Sequence, residues 1–165
     1  MLAMSHSHFR ILANTVDESI GRTYDKVARM LKMPWGTRGP AAALEEFCSL
    51  DSSDSSVPEI PPFSVAMPGK LAFSFSGLHS AVERHIFRAE LPLTEAHRRT
   101  LGRTFQDGAA LQLCDKLVLC HSMLRREGID VWHVVASGGV ASNAFLRARF
   151  TCFLFFRKFL LTPDS

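Results

Sequence analysis

The feature that most constrains the fold of this chain is the sequence ASGGVASN at residues 136–143. It follows DVWHVVA, the most strand-like run of the chain, and it precedes AFLRARF, which has the composition of a helix. A strand, a Ser-Gly-Gly turn and a helix form a scaffold on which backbone N–H groups point at an anion. The segment is therefore either a phosphate-holding loop or a tight turn between two elements.

Residues of this loop favour ligand binding. Gly138 and Gly139 allow the backbone to approach a ligand, because they carry no Cβ. Ser137 offers a hydroxyl, and Asn143 offers an amide that can hold a sugar hydroxyl or another polar group. Arg147 lies four residues further on, on the same face of the predicted helix. A turn without a ligand stays open as the alternative, because glycine-rich turns are common.

Helical periodicity accounts for most of the chain. Residues 15–33 predict a first helix, because Thr15 and Glu18 have the spacing of a capping box. The apolar face of this helix recurs at intervals of four, three and four residues: Ile20, Tyr24, Val27 and Leu31. The sequence PWGTRGP ends the helix, and Pro40 suits the first turn of a second helix, AAALEEF.

Two strands and three further helices complete the predicted pattern. Residues 49–62 form a loop rich in Ser, Asp and Pro, and residues 71–77 (LAFSFSG) alternate as a half-buried strand does. A helix follows at 78–89. A longer helix at 94–127 ends before Gly128, which suits a left-handed stop. With a strand at 130–136 and a last helix, the order predicts a helix-rich α/β or α+β fold.

Composition is that of an ordinary globular protein. The chain has 165 residues, of which 47% are hydrophobic, so it forms one compact domain or a piece of a larger one. The net charge of +3 permits a nucleic-acid partner, but no dense Lys/Arg block indicates one. The apolar run FTCFLFFRKFLL is shorter than the ~20 residues of a membrane span and contains Arg157 and Lys158, so we expect no membrane partner.

The spacing of the cysteines and histidines predicts no metal site. The four cysteines form no C-x-x-C pair and have no zinc spacing, so we expect reduced core residues of an intracellular protein. These residues are Cys48, Cys114, Cys120 and Cys152. The sequence FSFSGL exposes serines at a strand end, but it lacks the G-x-S-x-G motif, which argues against a serine hydrolase.

Two further positions have a functional and a structural interpretation. Asp25 lies in the first predicted helix, where it either accepts hydrogen bonds from a ribose or is a solvated charge. Gly39 either brings bare backbone against a flat ring or belongs to a simple turn. Spacing alone leaves both alternatives open.

The chain contains four segments in the order ANTVDESIGRTYDKVAR, GPAAALEEF, FSFSGLHSAV and VVASGGVASNAFLR. Together they resemble the tRNA adenosine threonylcarbamoyltransferase family, once described as sialoglycoprotein endopeptidases, over about residues 11–150. The resemblance implies an actin-like, Hsp70-like ATPase fold of two duplicated RNase-H-like domains, with mainly the second half present. It also implies transfer of a threonylcarbamoyl group from threonylcarbamoyl-adenylate to an adenosine next to the anticodon of tRNAs that read ANN codons.

The resemblance also implies site residues. Asp25 matches the substrate-binding Asp of the family's FDK helix, and Asn143 matches the adenylate-binding Asn of its SGGVAAN loop. Gly39 matches the substrate-contacting Gly of its PGGP turn, although the residues before it differ here. The implied substrate-binding and nucleotide-binding residues are Asp25, Gly39, Ser137, Gly138, Gly139 and Asn143. No residue of the chain is assigned a catalytic role.

Several family motifs do not occur in this sequence. The family holds a divalent metal with an H-x-x-x-H pair and a late Asp, and it binds phosphate with an SGGHT loop, so we expect the metal ligands to lie outside this chain. We accordingly expect an incomplete chain. Its parts are a residual N-terminal segment at 1–14, a partial transferase domain at 15–150 and a divergent apolar tail at 151–165.

Alternatives to the transferase remain at this point. One is a non-catalytic remnant of the same fold that binds a nucleotide or a partner, and another is an ATPase or kinase of the actin-like superfamily. An endopeptidase is disfavoured, since it needs the same metal site. The expected partners are tRNA, threonylcarbamoyl-adenylate, and a second copy or partner subunits. The motif variants resemble the mitochondrial branch, with a cytoplasmic location as the alternative.

Overall fold

A computed structural model describes residues 1–5, 7–50, 59–89 and 92–160 of the protein, with side chains up to residue 153. The elements in chain order are the strands and helices β1 (Leu2–Met4), β2 (Phe9–Ile11), β3 (Asn14–Thr15), α1 (Ile20–Met30), α2 (Pro40–Ser49), β4 (Ala72–Phe73), α3 (Ser76–Arg88), α4 (Glu95–Arg126), a 3-10 turn (Gly139–Ser142) and α5 (Ala144–Leu160). Strands β1 and β2 pair antiparallel, whereas β3 and β4 pair in parallel. The described part is thus a helix-rich α/β structure with very small sheets.

Helix α1 is shorter than the predicted helix at 15–33 and begins with a different cap. Ser19 is the N-cap residue, and its hydroxyl accepts a hydrogen bond from the backbone N–H of Arg22 at 3.3 Å. The predicted capping box is wrong, because Thr15 belongs to β3 and its hydroxyl donates to the Glu18 carbonyl at 2.9 Å. The sequence VDES, residues 16–19, connects β3 to α1, and the chain turns there from the strand into the helix. The predicted apolar face is confirmed, with Tyr24 buried in the core.

The boundaries of α2 and α4 agree with the sequence prediction. Pro40 is the first residue of α2, and Gly39 before it has a φ of +83°, which glycine tolerates without strain. Thr94 caps α4 by accepting from the His97 N–H at 3.2 Å. Gly128 follows the end of α4 with a φ of +74°, as its predicted stop requires.

The predicted strand at 130–136 is wrong. The structure has no regular element at 129–137, and the side chains there are exposed, with Trp132 at 84% and Val135 at 87%. A strand needs a partner that satisfies its backbone N–H and C=O groups, and no described strand lies beside this segment. The predicted strand at 71–77 is also shorter than expected, because α3 begins at Ser76.

The core forms where α1, α2 and α3 pack on α4. Leu101 and Phe105 of α4 are fully buried, and the Phe105 ring meets the Tyr24 ring edge to face with centroids 4.9 Å apart. Gly102 lets α2 approach, because a Cβ there would lie 2.7 Å from the Cys48 sulfur. Helices α4 and α5 are also tied by an ion pair between Asp107 and Arg149.

Two further expectations concern the cysteines and the tail. All four cysteines are free thiols; Cys48, Cys114 and Cys120 are buried, but Cys152 is exposed, so the expectation of a core position is wrong for that residue.

The predicted boundary between residues 150 and 151 falls inside α5, whose residues continue to Leu160. In the part of the chain that the structure describes, no helix is long and apolar enough to cross a membrane. Residues 51–58 of the predicted loop and 161–165 of the tail lie outside the described residues.

Candidate functional site

The loop of residues 137–143 contains a single 3-10 turn, Gly139–Ser142, between the irregular segment at 129–137 and α5. Gly138 adopts a φ of +93°, which favours glycine at this position. The turn closes on itself, since the Ala141 N–H donates to the Gly138 carbonyl at 3.0 Å and the Ser142 hydroxyl donates to the Gly139 carbonyl at 2.6 Å. Ser137 and both glycines are exposed to solvent. The loop is thus open to a ligand from outside.

Asn143 lies at the junction of this loop with α5. It is only 7% exposed, and its Oδ1 accepts from the Leu146 N–H at 2.9 Å, so it acts as the N-cap of α5. Its Nδ2 has no hydrogen-bond partner within the described residues. One half of the amide therefore stabilises the helix, and the other half is available as a donor.

The first N–H of α5 is bound by an acidic side chain that the sequence interpretation missed. Glu45 of α2 is half-buried, and its Oε1 accepts from the Ala144 N–H at 2.5 Å. A carboxylate at a helix N-terminus is stabilised by the partial positive charge there. Since the two residues are 99 positions apart, only a pairing of α2 with α5 reveals this contact.

Helix α1 brings Asp25 near the same loop. A Cβ added at Gly21 would lie 3.6 Å from a Val140 methyl group, so α1 contacts the 3-10 turn at this glycine. Asp25 is four residues further along α1, on the same helix face, and is half-buried. The structure thus brings Asp25 within about one helical turn of the loop that contains Asn143.

Gly39 lies apart from this group. It lines a cavity of about 410 Å³ together with Pro34, Arg38, Glu46 and Phe47. The Arg38 guanidinium binds the Glu46 carboxylate at 2.5 Å beside this cavity. Glu45 is six residues from Gly39, about 9 Å along the axis of α2, so this helix connects the cavity with the start of α5.

The sequence interpretation also missed Asp17, which connects β3–α1 with β4–α3. Its carboxylate accepts from the hydroxyls of Ser74 at 2.6 Å and Ser76 at 2.5 Å, and from the backbone N–H of Phe75 at 2.9 Å. Partial burial alone would raise the pKa of Asp17, but these hydrogen bonds hold that pKa well below its ordinary value. The carboxylate therefore caps α3 from a distant part of the chain. Its saturation with donors leaves it little capacity to bind a ligand.

Glu18, next to Asp17, joins the same two elements through charge. Its carboxylate lies 2.5 Å from the Lys26 ammonium and 2.6 Å from the Nδ1 of His79 in α3. Burial opposes ionisation, but Lys26 and His79 together lower the pKa of Glu18. Because the Glu18 carboxylate contacts both Lys26 of α1 and His79 of α3, it holds α1 against α3 and so fixes the face of α1 that carries Asp25.

The described residues do not form a divalent-metal site. Within residues 1–5, 7–50, 59–89 and 92–160, no three His, Cys, Asp or Glu side chains converge as metal ligands. His85 and His97 form a pair with their Nε2 atoms 2.8 Å apart, outside the group around Asn143. The donor set thus does not fit the metal that the resemblance implies.

Comparison with known proteins identifies the family of the chain. A sequence model of the family described as "tRNA N6-adenosine threonylcarbamoyltransferase" matches residues 1–164. The chain belongs to this family. A relative from Schizosaccharomyces pombe, named as the mitochondrial enzyme, is 35% identical over 152 residues, which are 89% of this chain and 36% of that protein. Relatives from Helicobacter pylori and Granulibacter bethesdensis are 29% and 33% identical over 98% and 85% of this chain.

The family assignment confirms the resemblance of the four segments. The chain spans less than half the length of these curated relatives, at 36%, 45% and 36% of each. The threonylcarbamoyltransferase relatives therefore contain segments that have no counterpart among the described residues.

Proposed function

We propose that the chain is part of an enzyme that transfers the threonylcarbamoyl group from threonylcarbamoyl-adenylate to an adenosine of tRNA. The adenosine is the one next to the anticodon of tRNAs that read ANN codons. The observation that carries the proposal is the family match over residues 1–164. The position of Asp25 near the glycine-rich loop supports the proposal, because two of the expected binding residues, Asp25 and Asn143, then lie in one region.

We propose that the nucleotide binds against the start of α5. The Nδ2 of Asn143 is a free donor for a sugar or base oxygen, and the Asp25 carboxylate is an acceptor for ribose hydroxyls. Ser137, Gly138 and Gly139 supply exposed backbone and a hydroxyl for the same ligand. In this arrangement Gly39 contacts a different part of the substrate, because it lines the cavity at the other end of α2.

The chemistry proposed for this site is direct transfer. The amine of the tRNA adenosine bonds to the threonylcarbamoyl carbonyl carbon, the bond from that carbon to the phosphate oxygen breaks, and AMP leaves while the amine loses a proton. Holding both reactants in this geometry lowers the barrier without a covalent enzyme intermediate. The buried thiols do not suit a nucleophile, because burial raises the pKa of Cys48 to about 12 and that of Cys114 to about 11. No step is assigned to a metal, since the described residues do not fit one.

The finer fold, location and partners of the chain belong to the same proposal. We infer the actin-like fold of two RNase-H-like domains, with mainly the second domain in this chain, divided at residues 14 and 150. A mitochondrial location is supported by the name of the Schizosaccharomyces pombe relative, while the other relatives named above are bacterial. The expected partners are tRNA, threonylcarbamoyl-adenylate and a second copy or partner subunits.

The transferase activity is tested with a chimera. The matching segment of the Schizosaccharomyces pombe enzyme is replaced by residues 1–150 of this chain, and threonylcarbamoyladenosine is measured in tRNA. We expect modification that depends on Asp25, with loss in Asp25→Asn and retention in Glu83→Gln, an exposed carboxylate on α3. A folded chimera without modification, while the parent enzyme remains active, would overturn the assignment.

A further inference from the structure

The outer face of α3 carries two arginines and an exposed aromatic ring. Phe87 is 89% exposed, the highest value among the large apolar side chains that the structure describes. Arg84 and Arg88 are also exposed, and they lie three residues before Phe87 and one residue after it. Arg84 shares a helix face with both of the others, because residues three and four apart are neighbours on a helix surface. These three side chains, the Arg–Phe stripe, thus combine positive charge with a ring that faces solvent.

The protein does not neutralise the arginines of the Arg–Phe stripe. Glu83, the adjacent exposed carboxylate, forms no ion pair with Arg84 or Arg88, and neither does any other carboxylate of the described residues. The positive charge of the stripe is therefore available to an anionic partner. Other arginines of the described part form ion pairs with carboxylates of the chain: Arg10, Arg38, Arg99 and Arg149.

A cavity lies beside the Arg–Phe stripe, between α3 and the segment at 60–66. Its volume is about 520 Å³, and both arginines of the stripe line it together with Pro61 and the half-buried Phe63. His85 also lines the cavity, but its Nε2 lies 2.8 Å from the Nε2 of His97, so this ring already has a partner. Ligand cavities are usually about 300–1,000 Å³ and combine apolar walls with a few polar groups. This cavity therefore has the size and the lining for a flat ring next to a negative charge.

We propose that the Arg–Phe stripe binds a single-stranded stretch of RNA. The Phe87 ring stacks on a base, Arg84 and Arg88 bind phosphates of the strand, and the cavity beside them receives the adjoining ribose or base. Stacking on aromatic rings and cations along the backbone are the contacts by which proteins hold single strands. The inference rests on the proposed transferase function, which supplies tRNA as the partner, and it adds a surface that positions this tRNA.

The exposed face of α3 fits RNA better than a membrane. A helix that lies on a membrane presents a wide apolar face to the lipid. Phe87 is the one large apolar side chain of α3 that is exposed, and Leu78 and Val82 are buried in the core. A single ring between two cations suits one base between phosphates.

The Arg–Phe stripe lies within reach of the residues assigned to the nucleotide. Helices α1 and α3 begin near each other, because the Asp17 carboxylate before α1 accepts from the Ser76 hydroxyl at 2.5 Å. Asp25 lies about 8 Å along α1, and Phe87 lies about 16 Å along α3. A stacked strand covers about 16 Å in roughly five nucleotides. One RNA can therefore contact the stripe and place a neighbouring nucleotide near Asp25.

Substitutions on α3 separate the phosphate contacts from the stack. Arg84→Gln and Arg88→Gln remove the charge and keep a polar side chain. Phe87→Leu removes the ring and keeps an apolar side chain, whereas Phe87→Trp keeps a ring that stacks. The matched controls are Arg126→Gln, at an exposed arginine at the end of α4, and Phe9→Leu, at a 74% exposed ring on β2.

The experiment measures binding of fluorescein-labelled oligoadenylate RNA to the 165-residue chain by fluorescence anisotropy over a range of salt concentrations. Circular dichroism checks the folding of each variant. We expect the slope of log K against log salt to decrease by about 0.7 in Arg84→Gln and in Arg88→Gln, one phosphate contact each. Phe87→Leu should weaken binding about tenfold at an unchanged slope, since the stack carries no charge. Phe87→Trp should bind at least as tightly as the unchanged chain.

Other results overturn the inference. Absence of RNA binding at low salt, or equal slopes in the unchanged chain and both arginine variants, excludes the phosphate contacts. The same decrease in Arg126→Gln shows that the effect is not specific to the stripe. Equal weakening by Phe87→Leu and Phe9→Leu excludes the stack. Binding to phosphatidylserine vesicles without binding to the RNA would assign the stripe to a membrane instead.

The chimera described above separates this inference from the transferase assignment. In the chimera, Arg84→Gln with Arg88→Gln should raise the KM for tRNA several-fold and leave kcat unchanged, because the lost contacts only bind the substrate. Modification of tRNA with an unaltered KM contradicts the Arg–Phe stripe and keeps the transferase. RNA binding as expected, without modification by the folded chimera, supports the stripe and contradicts the transferase.

Discussion

At the residue scale, the Asp17 carboxylate joins the segment between β3 and α1 to the segment between β4 and α3. Three backbone N–H groups and two serine hydroxyls donate to it, and the N–H groups of Phe75 and Ser76 belong to the start of α3. Hydrogen bonds to a charged acceptor are about twice as strong as neutral ones. Asp17 therefore has more influence on the fold than its exposed position suggests.

We expect Asp17→Asn to lower the free energy of unfolding at pH 7 by about 1–2 kcal/mol, a range reduced for solvent exposure. Because the folded-state pKa of Asp17 is lowered, its contribution is complete above the ordinary aspartate pKa of about 3.9 and is lost as the pH falls towards the folded value. Urea unfolding at pH 7 and at pH 3 checks this. An equal difference between Asp17→Asn and the unchanged chain at both pH values would contradict it.

Asn143 has two separable roles, since Oδ1 caps α5 and Nδ2 is free. We expect Asn143→Ala to lose both, with a decrease in unfolding free energy of about 0.5–2 kcal/mol for the lost cap. Asn143→Ser keeps a capping oxygen but lacks the amide donor, so stability should be nearly unchanged. Both variants should weaken binding of a threonylcarbamoyl-adenylate analogue by about 1–3 kcal/mol in calorimetry. Unchanged binding in Asn143→Ser would show that Nδ2 does not contact the nucleotide.

At the element scale, α2 determines how the candidate site is assembled. It carries Gly39 before its first turn and Glu45 near its middle, and it packs on α4 at Gly102. Helices α2 and α4 pack closely at this point because Gly102 has no side chain. A change in the distance between these helices would move Glu45 relative to Ala144.

We expect Gly102→Ala to destabilise the protein although alanine is the better helix former. The new Cβ would lie 2.7 Å from the Cys48 sulfur and 3.2 Å from a Leu44 methyl group, so α2 must shift. Overpacking costs about 1–3 kcal/mol and exceeds the ~1 kcal/mol gain in helix propensity. Thermal unfolding measures the loss. Adding Cys48→Ala should recover part of it, and equal losses with and without that change would rule out the contact as the cause.

At the scale of the whole molecule, one side of the described structure is rich in exposed apolar residues. This open apolar surface comprises the β1–β2 hairpin and the segment at 129–135. The Arg10–Glu127 ion pair at 2.8 Å joins the hairpin to the end of α4, two residues before this segment. The most exposed residues of this open apolar surface, between 50% and 87% exposed, are Leu2, Met4, Phe9, Ile11, Trp132, Val134 and Val135. Apolar surfaces of this kind associate with other surfaces in water.

We expect the 165-residue chain to associate with itself as its concentration rises. Trp132→Ser with Val135→Ser should weaken the association at least about tenfold, because a buried aromatic anchor contributes more than about 1.4 kcal/mol. Leu111→Ser is the control, since Leu111 is 52% exposed on α4, outside the open apolar surface. Sedimentation velocity over a range of concentrations measures both. Equal weakening by the control would mean that association is not specific to this surface.

Most helices of this protein could be read from its sequence, because their signals are local. The Thr94 cap, the Gly128 stop, Pro40 at the start of α2 and the apolar face of α1 involve residues within a few positions of each other. The family was also recognisable, because it is marked by short motifs such as SGGVASN. The roles assigned to Asp25, Gly39 and Asn143 remain predictions.

Only the tertiary structure decided what lies beside those motifs. The sequence by itself determined the helices and the family, but the contacts of Asp17 with Ser74 and of Glu45 with Ala144 join residues 57 and 99 positions apart. The strand predicted at 130–136 failed for the same reason. Its composition favours extended backbone, but a strand also needs a neighbour to bond with, and local sequence does not specify that neighbour.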